Sequence, residues 1–206
     1  MIITNKLIPV NRYNRPGTKH TPIKIGIHWT GNPGSPAANG AAYQMNVAKG
    51  LFPNQPDAWT SSQYVLGWEG EIIHCVPDDE MSYAASGNNA GVIHIEVCIQ
   101  DSSGRFSDKA IAALGELVRE LMSKYKISAE NVVRHYDLTG KLCPPYYVDA
   151  ARWAELRASI TSAPKASTLY RVQIGAFSSR ENAENYAAEA RKKGFQAFVT
   201  EVDTNG

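Results

Sequence analysis

"GVIHIEVCI", residues 91–99, decides how this chain folds. Successive side chains on a strand point to opposite faces, so Ile93, Ile95, Val97 and Ile99 form one aliphatic face, with Val92, His94, Glu96 and Cys98 on the other. A second run, "IKIGIH" at 23–28, divides the same way: Ile23, Ile25 and Ile27 against Lys24, Gly26 and His28. Each strand therefore has one face to lie under a helix and another that carries polar groups. If the two share a sheet, His28 and Glu96 open onto one cleft.

Further short β-type runs, "QYVLG" (63–67), "EIIHCV" (71–76) and "NVVRH" (131–135), alternate with helical patterns. "AAYQMNVAK" is closed by Gly50. "DKAIAALGELVRELMSKY" carries Ile111, Leu114, Leu117 or Val118, and Leu121 on one stripe, with Ser107 where an N-cap belongs. The expected fold class is α/β, with a central mixed sheet flanked by helices. "DAARWAELRASI" has helical spacing at Trp153, Leu156 and Ile160. The small, polar "SAPKAST" after it is read as a linker over 162–168, between a first domain at 1–161 and a short second one at 169–206. In that tail "LYRVQIGAF" and "FQAFVTEV" read as strands around a helix in "SSRENAENYAAEARKKG", with Ser178 and Glu181 as a capping box and Gly194 as the stop. A β-α-β segment this small is marginal as an independent core.

Composition excludes some functions. The chain has 206 residues, 43% hydrophobic, with 21 Lys+Arg against 20 Asp+Glu, so no basic field exists for generic nucleic-acid binding. The apolar stretches are too short to insert in a membrane, and the first twenty residues lack the apolar core of a secretory signal. Three cysteines, Cys75, Cys98 and Cys143, are odd in number and widely spaced, which does not describe a disulfide framework.

The chemistry-bearing residues stand at strand ends. His28 precedes the loop "WTGNPGSP", and His135 ends "NVVRH" before a turn at Gly140; Cys143 follows on the loop, outside any apolar element. Two histidines and a cysteine suit the three-ligand set of a catalytic zinc with an open fourth position. Position alone leaves other readings open. His28 could be a strand-end histidine bonded to backbone. Cys143, His135 and Asp137 could form a cysteine-hydrolase set, though that leaves His28 and Glu96 without roles.

Taken together, "IGIHWTG", "VIHIEV" and "RHYDLTGKLCPP", with a trailing "ARW", resemble the zinc amidase family that contains N-acetylmuramoyl-L-alanine amidases, phage endolysins and peptidoglycan recognition proteins. The resemblance runs over about residues 20–160. It implies a zinc cleft at the strand ends, with His28, His135 and Cys143 as ligands, Glu96 as general base and Lys141 supporting the transition state. It implies as substrate the amide between the lactyl group of N-acetylmuramic acid and the L-alanine of the stem peptide in peptidoglycan. A wall-binding module without catalysis is the alternative, and the presence of Cys143, Glu96 and Lys141 argues against it. The chain departs from the family pattern at Gln63, where histidine is frequent, and at Tyr83 and Ala84, where a Trp-His pair is frequent. These departures bear on how the stem is gripped.

A glycan-peptide needs a groove with aromatic and polar walls, so Trp29, Tyr64, Trp68 and Tyr83 become candidate substrate contacts. His74 and His94 read as structural. His94 nonetheless shares the face of Glu96, where it could orient that carboxylate, and so joins the substrate-side candidates. The tail, through "VQIGAFSSRENA", resembles the first half of a SPOR domain, which implies binding to peptidoglycan glycan. With no signal peptide and a substrate outside the membrane, the expected setting is the cell wall, reached by host lysis, as for a phage endolysin, or by mother-cell lysis. Cytoplasmic recycling of wall fragments also fits.

Overall fold

The computed structural model describes residues 1–55, 59–163 and 172–202, and the chain divides into two units, Met1–Pro164 and Lys165–Gly206. The first unit contains strands β1 (Ile3–Asn5), β2 (Lys24–Trp29), β3 (Tyr64–Leu66), β4 (Ile72–His74), β5 (Val92–Val97) and β6 (Val132–Arg134). Its helices are α1 (Ala37–Ala48), α2 (Asp108–Tyr125), α3 (His135–Thr139) and α4 (Ala150–Thr161). The strands form one sheet in the order β1-β4-β3-β5-β2-β6, and only β3 and β4 pair antiparallel. This is the mixed α/β sheet expected from the sequence. The edge strand β1 is an addition, and beyond it Lys6 and Ile8 continue to donate backbone hydrogen bonds to His74 and Cys75.

Alternation along the strands separates two cores. Ile25 and Ile27 of β2, Tyr64 and Leu66 of β3, and Ile93, Ile95 and Val97 of β5 face α2 and α4, which contribute Leu114, Leu117, Val118, Leu121, Trp153, Leu156 and Ile160. α2 begins where Ser107 accepts a hydrogen bond from the Ala110 amide at 3.1 Å, and α4 where Asp149 accepts from Arg152 at 2.9 Å. On the opposite face α1 lays Ala37 and Ala41 on Val65, Ile73, Cys75 and Cys98. α1 covers only part of that face, and the polar residues of β2 and β5 occupy the remainder.

A buried acid ties the first core to the sheet. Asp78 accepts from the Tyr64 hydroxyl at 2.6 Å, from Lys124 at 2.9 Å and from the Tyr125 hydroxyl at 2.9 Å, with His74 Nε2 at 3.6 Å. Burial raises the pKa of this carboxyl, but the nearby His74 and the bonds from Tyr64, Lys124 and Tyr125 outweigh it and hold the group below the usual carboxylate range. A depressed folded-state pKa contributes stability that is present above the unfolded value of about 3.9 and is lost as pH falls through the folded value. Asp78→Ala should therefore cost about 3 kcal/mol in urea unfolding at neutral pH, with the difference from the unaltered protein shrinking below about pH 4.

In the second unit α5 (Arg180–Lys192) forms over the expected helical pattern, with Arg191 and Lys192 in its last turn and Gly194 beyond it at φ 87°. Its N-cap is Ser179 rather than Ser178, and no side-chain hydrogen bond caps it. The flanking strands are corrected: 172–177 and 195–202 are irregular, while 164–171 and 203–206, including most of the expected linker, lie outside the described residues. A strand exists through a hydrogen-bonded neighbour and a face to bury. Here Val172, Ile174 and Phe195 stay 81%, 58% and 67% exposed, so these side chains bury no face of the kind that holds a strand in a sheet.

Candidate metal centre and cleft

β2 and β5 run parallel with His28 opposite Glu96 and Gly26 opposite His94, so a histidine and a carboxylate meet at the ends of the two central strands. β6 lies on the other side of β2, and the first residue after it, His135, opens α3. The chain then turns back at Gly140, whose φ of 78° is left-handed and favours glycine. Cys143 accepts from the Tyr136 amide at 2.9 Å, which closes the loop and sets the thiol beside His135. Arg134 fastens this loop from beneath. It pairs with Asp137 at 2.6 Å and donates to the carbonyls of Tyr147 and Val148 at 2.9 Å each.

The result is a buried trio. His28, His135 and Cys143 are 1%, 3% and 3% exposed, and they offer ligand atoms that all lie within 4.8 Å of one another. Nitrogen and sulfur donors on one tetrahedral zinc, at about 2.0–2.1 and 2.3 Å from it, stand roughly 3.3–3.7 Å apart, so small side-chain adjustments suffice. Among the described residues His135 Nε2 and Glu96 Oε2 are buried without a hydrogen-bond partner, a costly state unless something else satisfies them. Burial, then the neighbouring charges, depress the imidazoles, His28 strongly and His135 to about 4. At neutral pH each keeps a lone pair for a metal. This donor set and geometry fit zinc.

The same facts oppose a cysteine nucleophile. Burial, then the charge of Glu96, push the Cys143 thiol up to about 12, so a thiolate here needs a cation beside it, which a bound metal supplies and a neutral His135 does not. Asp137, the orienting group that reading requires, is spent on Arg134.

Beside the trio opens a cleft of about 570 Å³, whose walls include Trp29, Asn39, Tyr43, Thr60, Glu96 and Lys141. Glu96 reaches it with a side chain 20% exposed. Burial pushes this carboxyl up to about 8, and the positive charge of Lys141 pulls in the other direction. Lys141 itself is exposed on the loop between Gly140 and Cys143.

The substrate contacts expected from sequence divide differently. Trp29 lines the cleft. Tyr64 does not: as the first residue of β3 it faces the opposite core, stacked on His74 with ring centroids 4.7 Å apart. Tyr83 uses its backbone to receive bonds from Thr60 and Ser61 and is not among the lining residues, and Trp68 packs against the α1 core. His94 shares the face of Glu96 but is fully buried below it, so it is no groove wall. The wall the sequence reading missed comes from α1 and the loop before it, through Asn32, Ser35, Asn39 and Tyr43. Its only signal is the polar spacing of "GNPGSPAANGAAYQ".

Residues 18–145 match the family model described as N-acetylmuramoyl-L-alanine amidase, and residues 166–206 match the SPOR domain. A probable N-acetylmuramoyl-L-alanine amidase of Bacillus licheniformis is 31% identical over 174 residues, covering 78% of this chain and 47% of the relative. The amidase XlyA of Bacillus subtilis (strain 168) is 35% identical over 164 residues, covering 77% and 50%. This chain thus spans about half the length of the curated relatives it matches. Its fold is similar to the catalytic domain of XlyA, with TM-score 0.65 at 34% identity over 78% of this chain and 99% of that one, and to PlyL, with TM-score 0.66 at 27% identity over 79% and 98%.

Proposed function

Because the chain belongs to the N-acetylmuramoyl-L-alanine amidase family, we propose that it hydrolyses the amide between N-acetylmuramic acid and L-alanine in peptidoglycan, using zinc held by His28, His135 and Cys143. The observation that carries this reading is the buried trio, with a neighbouring cleft whose lining includes one carboxylate, Glu96, and one ammonium, Lys141. Bound there, zinc supplies a Lewis acid that polarises the amide carbonyl and acidifies water towards neutral pH.

The protein's own groups complete the reaction. Glu96, on the cleft beside the trio and opposite His28 on the neighbouring strand, takes a proton from the attacking water and returns it to the departing alanine nitrogen. Lys141, on the same cleft, stabilises charge that develops on the amide oxygen. Trp29 and the neutral polar groups of α1 exclude water and orient the sugar-peptide junction. Lys141→Ala should lower kcat/KM on a muropeptide about 100-fold while zinc content stays at one per chain.

In this reading residues 1–161 carry hydrolysis, and 169–206, joined through 162–168, contribute attachment to the wall. The setting is the cell wall, reached after host or mother-cell lysis. Among the described residues no helix is long and apolar enough to cross a membrane. The test is release of stem peptide from purified walls: chelation should abolish it and zinc should restore it. Wall binding without release would favour a recognition module instead.

A further inference from the structure

On the buried side of His28, away from the cleft, stands a second histidine that hydrolysis as described leaves without a role. His28 Nε2 lies 2.9 Å from His94 Nδ1, and both rings are sealed from solvent, at 1% and 0% exposure. The other nitrogen, His28 Nδ1, faces the opposite way, 3.9 Å from Glu96 Oε1. His94 is itself held in place: its amide donates to Gln63 Oε1 at 2.8 Å, and Gln63 is fixed by Ser82 at 2.9 Å and by the Glu80 carbonyl at 2.7 Å. The backbone leaves room for the pair. A Cβ at Gly26 would stand 2.9 Å from His94 Nδ1 and 3.4 Å from His28 Nε2.

A neutral imidazole has one N–H and one lone pair, and the partner of the first nitrogen decides which is left for the second. We infer that His94 is a positioning residue: it accepts a hydrogen bond from His28 Nε2–H, fixes ring and tautomer, and so presents Nδ1 as the nitrogen for zinc, with Gly26 as the space this contact needs. His94 then carries its own proton on Nε2, a buried atom with no hydrogen-bond partner among the described residues, a cost that the contact with His28 offsets. The inference rests on the reading of His28 as a zinc ligand.

Nitrogen-15 NMR of the zinc-loaded, otherwise unaltered protein tests it without any substitution. Nε2 of His28 should carry the proton and Nδ1 the metal; zinc on Nε2 would overturn the inference. Zinc affinity, measured by competition with a chromophoric chelator, gives a second readout. His94→Phe should weaken it about 10- to 100-fold. His94→Asn, whose Oδ1 can accept the same bond, should stay near the unaltered value, and Gly26→Ala should weaken binding although it removes no polar group. Unchanged affinity in His94→Phe, or equal loss in the Phe and Asn variants, would contradict the proposal, with thermal melts of the metal-free variants identifying any that misfold. If the unaltered protein takes up no zinc, the metal reading fails; if it binds zinc and His94→Phe binds as tightly, only the role of His94 fails.

Discussion

Cys143→Ser is expected to leave a folded protein that retains little zinc and releases stem peptide at least about 1,000-fold more slowly than the unaltered chain. The thiol is 3% exposed, and the loop that carries it is held by backbone bonds from Tyr136 and by Arg134, none of which the substitution touches. Serine nearly preserves volume, so the fold should survive. A hydroxyl is a far poorer zinc ligand than a thiolate, and two imidazoles alone hold the metal weakly. Metal content after gel filtration, read beside the rate of wall clearing, checks the outcome. A Cys143→Ser protein that kept both zinc and activity would remove cysteine from the site.

Glu96→Gln should have the second largest effect and the opposite signature: zinc stays bound while kcat falls by about 1,000-fold. Glutamine keeps the shape of the side chain beside His28 but can neither accept nor deliver the proton. Glu96 is not one of the trio, so its loss should leave metal affinity nearly intact. The two variants together separate holding the metal from moving the proton. Equal loss of zinc in both would mean that Glu96 serves as a ligand instead.

Much of this site was legible because period-2 alternation is local. It set His28 and Glu96 on the polar faces of their strands, and the register that brings them opposite each other follows from pairing β2 with β5. "RHYDLTGKLCPP" was legible for a similar reason, since a glycine turn between His135 and Cys143 lets the chain double back within one loop. Other features depend on contacts between segments distant in sequence. Tyr64 stood next to the motifs in the chain, yet the face it occupies is decided by a three-residue strand between β4 and β5. His94 acquires its partner only because Gly26 lies across from it on β2. The polar wall of α1 was invisible because a helix face meets a cleft only once the helix has docked. In the tail, strand-like sequence was insufficient by itself, so among the described residues only the helix, whose hydrogen bonds are internal, matches the expectation.

The central claim is the identity of the bond that breaks, and mass spectrometry of the products from purified peptidoglycan tests it most directly. The expected products are stem peptides with a free L-alanine amino terminus and intact glycan bearing free lactyl carboxylates, with no new reducing ends, all dependent on zinc. New reducing sugar ends, cleavage within the stem, or unchanged release after complete metal removal would contradict it.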